Sequence, residues 1–297
     1  MRAGNTAGDN VFIGLTTALL VMIGILVLYP LVYVLSASFS SPEALMAARV
    51  TLWPVEVTLD GYRAVFSTNR ILMGYSYTLL YMAVGTVIGV VMNLVAAYPL
   101  SRPDFKGRNA IMALFAFTMF FSGGMIPGYL LIRDLRIMNT MWALTLPGAV
   151  NVWNIIVIRT FYQTNISIEL LEAAQIDGCG NRYFFIRCVL PLSGAIIAVM
   201  GLFTAVGYWN SYMSALLYLN DSSRYPLQLV LREILIQNTQ STVNSFLADA
   251  AEQDRRVKME FLLKYGIIVV SSAPVLTLYP LAQRHFVKGV MIGSLKG

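Results

Sequence analysis

The chain has 297 residues, of which 57% are hydrophobic and only 12% charged. That is about half the charged fraction of a soluble globular protein, and with a mean hydropathy of +0.67 it excludes an ordinary soluble domain in favour of a polytopic membrane protein. A formal charge of +6 in such a chain sets topology rather than binding nucleic acid, and two cysteines with one histidine exclude a disulfide framework and a multi-histidine metal site.

Six membrane spans are predicted. A polar stretch, 1–10, precedes the apolar run 11–36. The run exceeds the roughly 7–15-residue core of a secretory signal and suits an uncleaved first helix, at about 20 residues per crossing, although Ser36-Ala37-Ser38 weakly resembles a cleavage site. Residues 37–75 read as an external loop with short helices around Pro42, Pro54 and Asp60-Gly61-Tyr62. The second span is 76–100, and a tight basic connector follows at 101–108. The third, 109–132, is expected to kink at Ser122-Gly123-Gly124 and Pro127. The fourth is 141–162 and the fifth 189–219, with Pro191 marking its start; a polar loop covers 220–260, and the sixth span is 261–283. Two parts are expected: 1–75, a first helix with its external loop, and 76–297, a core of five spans with a loop at 163–188. Raw Lys/Arg totals do not orient the chain. The short connector (Arg102, Lys106, Arg108) and the tail (Arg284, Lys288, Lys296) do, and they predict both termini inside.

Polar residues within the spans are Asn93, Asn151, Asn154 and the cluster Tyr208-Trp209-Asn210 with Tyr212. An unpaired amide is costly in lipid, so these face other helices or a water-filled path. Two readings stay open: interhelical hydrogen bonding, or a sugar-compatible lining in which aromatics stack and amides meet hydroxyls; the aromatic cluster also fits an interfacial belt. Arg159 is expected to snorkel to headgroups. Gly85-x-x-x-Gly89 and Gly124-x-x-x-Gly128 predict close helix packing. Neither a phosphate loop, a zinc-protease helix nor a nucleophile elbow is present, so no catalytic residue and no metal site is assigned. The spans lack the carboxylates of ion-coupled carriers.

The loop between spans four and five contains Glu172-Ala173-Ala174, then Gly178 after three residues, then Leu190-Pro191. Ala173 and Ala174 favour helix and permit close approach, Glu172 offers a charge, Gly178 and Gly180 permit a turn, and Pro191 is tolerated in a first helical turn. The stretch resembles the EAA loop of ABC-importer permeases of the type I fold, with Cys188 where the family has isoleucine. The carbohydrate branch is also resembled by Asn139-Thr140-x-Trp142-Ala143-Leu144-x-Leu146-Pro147, Arg159-x-Phe161-Tyr162, Tyr225-Pro226-Leu227 and Phe286-Val287-Lys288-Gly289. The stretch from Phe121 to Pro127 looks like the subgroup importing aldouronate and other complex polysaccharide fragments.

The resemblance implies an all-α permease of six transmembrane helices, multi-pass in a bacterial inner membrane, importing a neutral or acidic oligosaccharide such as an alginate fragment. It implies no cofactor in this chain, ATP and magnesium being held by two partner ATPase subunits, and it implies a second permease and an external solute-binding protein. Glu172, Ala173, Ala174, Asp177, Gly178, Leu190 and Pro191 would couple to the ATPase; Asn151, Asn154, Tyr208, Trp209 and Asn210 would line the path. The alternative class is a secondary transporter or channel without ATP coupling.

Overall fold

The computed structural model describes residues 7–244, 254 and 257–277. Arg284, His285, Lys288, Lys296, the 286–289 stretch and most of the polar start of the chain lie outside the described residues. All regular structure among those described is helical: α1 (Ala7–Ser38), α2 (Pro42–Met46), α3 (Asp60–Ser67), α4 (Asn69–Ser101), α5 (Arg108–Phe120), α6 (Met125–Asp134), α7 (Met141–Thr145), α8 (Val152–Asn165), α9 (Ile168–Ile176), α10 (Asn181–Phe184), α11 (Leu190–Leu192), α12 (Gly194–Trp209), α13 (Met213–Tyr218), α14 (Leu227–Asn244) and α15 (Val257–Thr277).

Among the described residues, three single helices are long and apolar enough to cross a membrane: Gly8–Ser38 within α1, α4 and α15. Two bent pairs add to them: α5 with α6, at 111°, and Asn181–Leu192 with α12, at 78°. The third predicted span is therefore broken, not merely kinked. Gly124 supplies the break with φ +86°, and a Cβ there would meet nothing within 4 Å. Its role is the turn, not the close packing that its GxxxG spacing suggested.

Other boundaries differ as well. The fourth span is not one helix, because α7 ends at Thr145 and α8 starts at Val152 across Leu146-Pro147-Gly148. The fifth bends at Ser193 rather than starting at Pro191, and ends in the separate α13. The polar 220–260 segment contains the 18-residue α14.

The chain forms two compact units. In the first (1–69 and 233–272), Ala37, Ala44, Leu45 and Val50 form a small core with Tyr33, Phe261 and Tyr265 packed on it. Tyr33 meets Tyr265 edge-on at 6.0 Å, and Gly61 lies against the Leu262 backbone, where a Cβ would stand 3.0 Å from the carbonyl oxygen.

In the second unit (70–232 and 273–297), α4 organises the packing. Ile71, Gly74, Thr78, Tyr81, Gly85, Gly89, Asn93, Ala97 and Leu100 recur every three or four residues and are all buried, so one stripe of α4 faces protein. Small residues on this stripe admit close neighbours: Leu227 at Gly74, Tyr208 at Gly85, and Thr204 with Ala149 at Gly89. Thr78 Oγ1 accepts the Leu227 N–H at 2.8 Å. Arg159, half-buried, is anchored at the end of α4. Its Nε donates to the Leu100 carbonyl at 2.9 Å, satisfying a group that the last turn of α4 leaves open.

Candidate functional site

The 163–193 segment is built by local rules. The Ser167 hydroxyl accepts the Leu170 N–H at 3.3 Å and starts α9, while Glu169 sits favourably in the first turn. At the other end the Cys179 N–H reaches the Ala174 carbonyl at 2.8 Å and the Gly178 N–H reaches Gln175 at 3.0 Å. This is the Schellman pair of bonds, with Gly178 left-handed at φ +76°. Any L side chain there would be strained, which is the physical reason for a glycine four residues after the Ala-Ala pair. The accompanying apolar contact is met because Ala174 and Cys179 pack on the same core cluster.

Beyond α10 the chain widens into a π turn over Phe185–Val189, where the Leu190 N–H donates to the Phe185 carbonyl five residues back. Pro191, which has no N–H, follows. The bend comes at buried Ser193, whose Oγ donates to the Val189 carbonyl at 2.6 Å.

One face of this element is anchored. Leu171, Phe184 and Val189 are buried among Leu94, Ala97 and Leu100 of α4, Ile155, Ile158 and Tyr162 of α8, and Ile196 and Met200 of α12, with Cys188 and Leu190 packed at the edge. On the other face Glu172, Ala173, Asp177, Gly178 and Pro191 are exposed. Five of the seven predicted coupling residues are thus exposed, Ala174 and Leu190 packing on the core instead, and Leu190 and Pro191 stand on α11 rather than α9. Exposed beside them, and not singled out from sequence, are Ile176, Tyr183 and Ile186, at 87%, 61% and 58%. Large apolar side chains inside a polar stretch were the available signal.

The predicted path residues fall around the interrupted stretch 146–151. The Asn151 side chain caps α8 by accepting the Asn154 N–H at 3.1 Å. Asn151 is exposed and Asn154 half-buried. Tyr208 packs its ring on Gly85 and donates its hydroxyl to the Thr145 carbonyl at 2.8 Å. Trp209 is buried, edge-on to Tyr75 at 5.8 Å, and exposed Asn210 ends α12. Asn93 is the member that sequence reasoning left out of the site. Its amide donates to the Ala149 carbonyl at 3.0 Å and the Gly89 carbonyl at 2.6 Å, and its carbonyl accepts the Asn151 N–H at 2.9 Å.

At the base of α9 lies a cavity of about 290 Å³ between the 101–108 connector, the end of α8 and the start of α9, floored by Leu171, Phe184 and Val189. On its wall Arg102 donates to both carboxyl oxygens of Asp104, at 2.9 and 3.0 Å, and to the Tyr98 hydroxyl at 2.9 Å. The Arg102 hydrogen bonds hold the Asp104 carboxyl below its ordinary pKa. A depressed carboxylate pKa contributes stability above the unfolded value, lost as pH falls through the folded one. At neutral pH Asp104→Asn is therefore expected to lower the melting temperature. The gap to wild type should close as acid takes pH below the ordinary carboxylate range; a gap that does not narrow would exclude the pairing as its source.

No protein-family model matches the chain. It is 39% identical over 291 residues to the polygalacturonan/rhamnogalacturonan transport system permease protein YtcP of Bacillus subtilis (strain 168), covering 97% of this chain and 99% of that one. It is 40% identical over 293 residues to protein LplC of the same organism, covering 99% and 97%. Among solved structures it matches, at a TM-score of 0.84 and 29% identity over 96% of this chain and 100% of the other, a crystal structure of a bacterial ABC transporter involved in the import of the acidic polysaccharide alginate. These likenesses span whole chains and decide against a secondary carrier or a channel. The chain belongs to the permease family of carbohydrate-importing ABC transporters.

Proposed function

We propose that this chain is one of two unlike permease subunits in a binding-protein-dependent importer of acidic, uronate-containing oligosaccharides, and that α9 is the element gripped by a cytoplasmic ATP-binding cassette subunit. The observation that carries the coupling role is the exposed face of Glu172, Ala173 and Ile176 on a helix clamped at both ends and anchored behind by Leu171 and Phe184. Small residues allow close approach, Ile176 offers apolar area and Glu172 a charge. ATP and magnesium belong to two such ATPase subunits.

Six crossings of the bacterial inner membrane, with both termini inside, are supported by three long apolar helices, two bent pairs and the interrupted α7–α8, and by the basic 101–108 connector beside α9. The segment 220–260 then faces outward, towards a solute-binding protein, and 76–297 forms the permease core. Asn151, Asn154, Tyr208, Trp209 and Asn210 are the residues of this subunit offered to the sugar. The acidic class of substrate is supported by the alginate importer and by the polygalacturonan named for YtcP.

The test is reconstitution with the second permease, the ATPases and the binding protein. Glu172→Lys is expected to cut binding-protein-stimulated ATP hydrolysis about tenfold or more, because it puts a like charge against the partner's basic group. Retention of the ATPase with undiminished stimulation would remove the coupling role.

A further inference from the structure

We propose that the break between α5 and α6 is a contact surface for the second permease subunit. The two helices turn by 111° there. None of the backbone N–H groups of Ser122, Gly123 and Gly124 has a hydrogen-bond partner among the described residues, and no side chain caps the start of α6. The carbonyls that these donors would meet in a continued α5 are left open as well. Residues 119–127 are all exposed, among them Phe120 at 81%, Ile126 at 70% and Phe121 at 65%. From the basic connector the 13 residues of α5 rise about 20 Å at most, so the break lies within the roughly 30 Å hydrocarbon core.

The combination decides what covers it. Lipid suits the phenylalanine and isoleucine side chains but offers the bare backbone no hydrogen bond. Water satisfies the backbone but not a set of contiguous aromatic and aliphatic side chains. A protein surface does both. The soluble partners, an ATPase on one side and a binding protein on the other, do not reach this depth, which leaves a second membrane chain.

The surface is also built to receive one. The inward residues of α5, Ile111, Met112 and Phe115, pack on the core cluster, so the helix is fixed from behind. Phe117 and Phe121 stack at 4.4 Å across the helix end, and an aromatic pair already held in place loses little freedom when a partner buries it. The two glycines let a neighbour approach the backbone. A Cβ at Gly124 would meet nothing within 4 Å, and one at Gly123 only the Pro127 Cβ at 3.7 Å. That a protein covers the break rests on this geometry; that the protein is the unlike permease rests on the reading proposed above.

The test compares the full-length chain in detergent, alone and assembled with the second permease and the ATPases. The amides of Ser122, Gly123 and Gly124 are expected to exchange hydrogen at least about tenfold more slowly in the assembly. Gly123→Leu, whose Cβ makes only ordinary contact within this chain, is expected to unfold as wild type does when alone and to recover about tenfold less of the second permease. A photoreactive p-benzoylphenylalanine in place of Phe120 is expected to cross-link to that subunit. Exchange as fast in the assembly as in the chain alone, or cross-links to lipid only, overturns the proposal, and the exchange comparison in wild type decides it if Gly123→Leu does not fold. Cross-links between copies of this chain instead overturn the two-permease reading, and the choice of occupant with it. No ATP hydrolysis is read in these measurements, so their failure is distinct from failure of the docking role of α9.

Discussion

Gly85→Ala is expected to be among the most damaging single-methyl additions to this chain. The new Cβ would stand 2.5 Å from Cε2 and 2.7 Å from Cε1 of Tyr208, and against Cζ. A tyrosine ring tip can sometimes swing away, but this one is tied by its hydroxyl to the Thr145 carbonyl at 2.8 Å, and Gly148 lies just behind that hydroxyl. Overpacking of this kind costs about 1–3 kcal/mol, and moving the ring adds the loss of a hydrogen bond worth about 1 kcal/mol. The apparent melting temperature should fall by several degrees, and sugar transport with it, because the freed carbonyl begins the interrupted stretch 146–151. Gly89→Ala should be milder, its Cβ meeting Thr204 Cγ2 at 3.3 Å and the Ala149 carbonyl at 3.4 Å; Gly201→Ala, with nothing within 4 Å, should be neutral. The mechanism is checked in a Tyr208→Ala background, where Gly85→Ala should cost far less. Additive losses in the double variant would show that the ring is not the cause.

Where chain-local physics decides an element, the sequence sufficed. Gly178 was legible as a turn because its left-handed φ is set by the helix end it caps, and the position of the 122–124 break by its two glycines, although only a kink was expected where the helices turn by 111°. The element missed in span four had local signals too, Pro147 and Gly148, but hydropathy averaged over a whole span reads straight through them. What stabilises that interruption is Asn93, 58 residues from Asn151, and no window on the chain joins the two. Helix α14 was passed over for a related reason. A search for apolar spans discounts Leu227-Gln228-Leu229-Val230-Leu231-Arg232-Glu233, where helix-forming residues alternate with polar ones. The cavity was the least legible feature, since its walls come from residues 98–108, 162–171 and 184–189. Arg102 and Arg108 were read there as topology markers, and Tyr162 as part of a family pattern.

The second large effect is expected at Asn93. It is 2% exposed, and through its two donors and its acceptor it holds the broken backbone of span four at both Ala149 and Asn151. Irregular backbone at membrane depth survives only when protein or water satisfies it. Asn93→Leu keeps the branched shape, with bulkier methyl groups, but removes every partner. The Gly89 carbonyl sits mid-helix and loses little, whereas the Ala149 carbonyl and the Asn151 N–H are orphaned at about 1–3 kcal/mol each. A total loss of roughly 2–6 kcal/mol should appear in the unfolding of the detergent-solubilised protein, together with faster hydrogen exchange at the Asn151 amide. Asn154→Ala separates structure from transport. Asn154 is half-buried at the start of α8, and its truncation should move stability by no more than about 0.5 kcal/mol. If Asn154 is offered to the sugar as proposed, that variant loses transport while unfolding as wild type does, and Asn93→Leu loses both. Unchanged exchange at Asn151 in Asn93→Leu would show that the stretch is held by something other than this side chain.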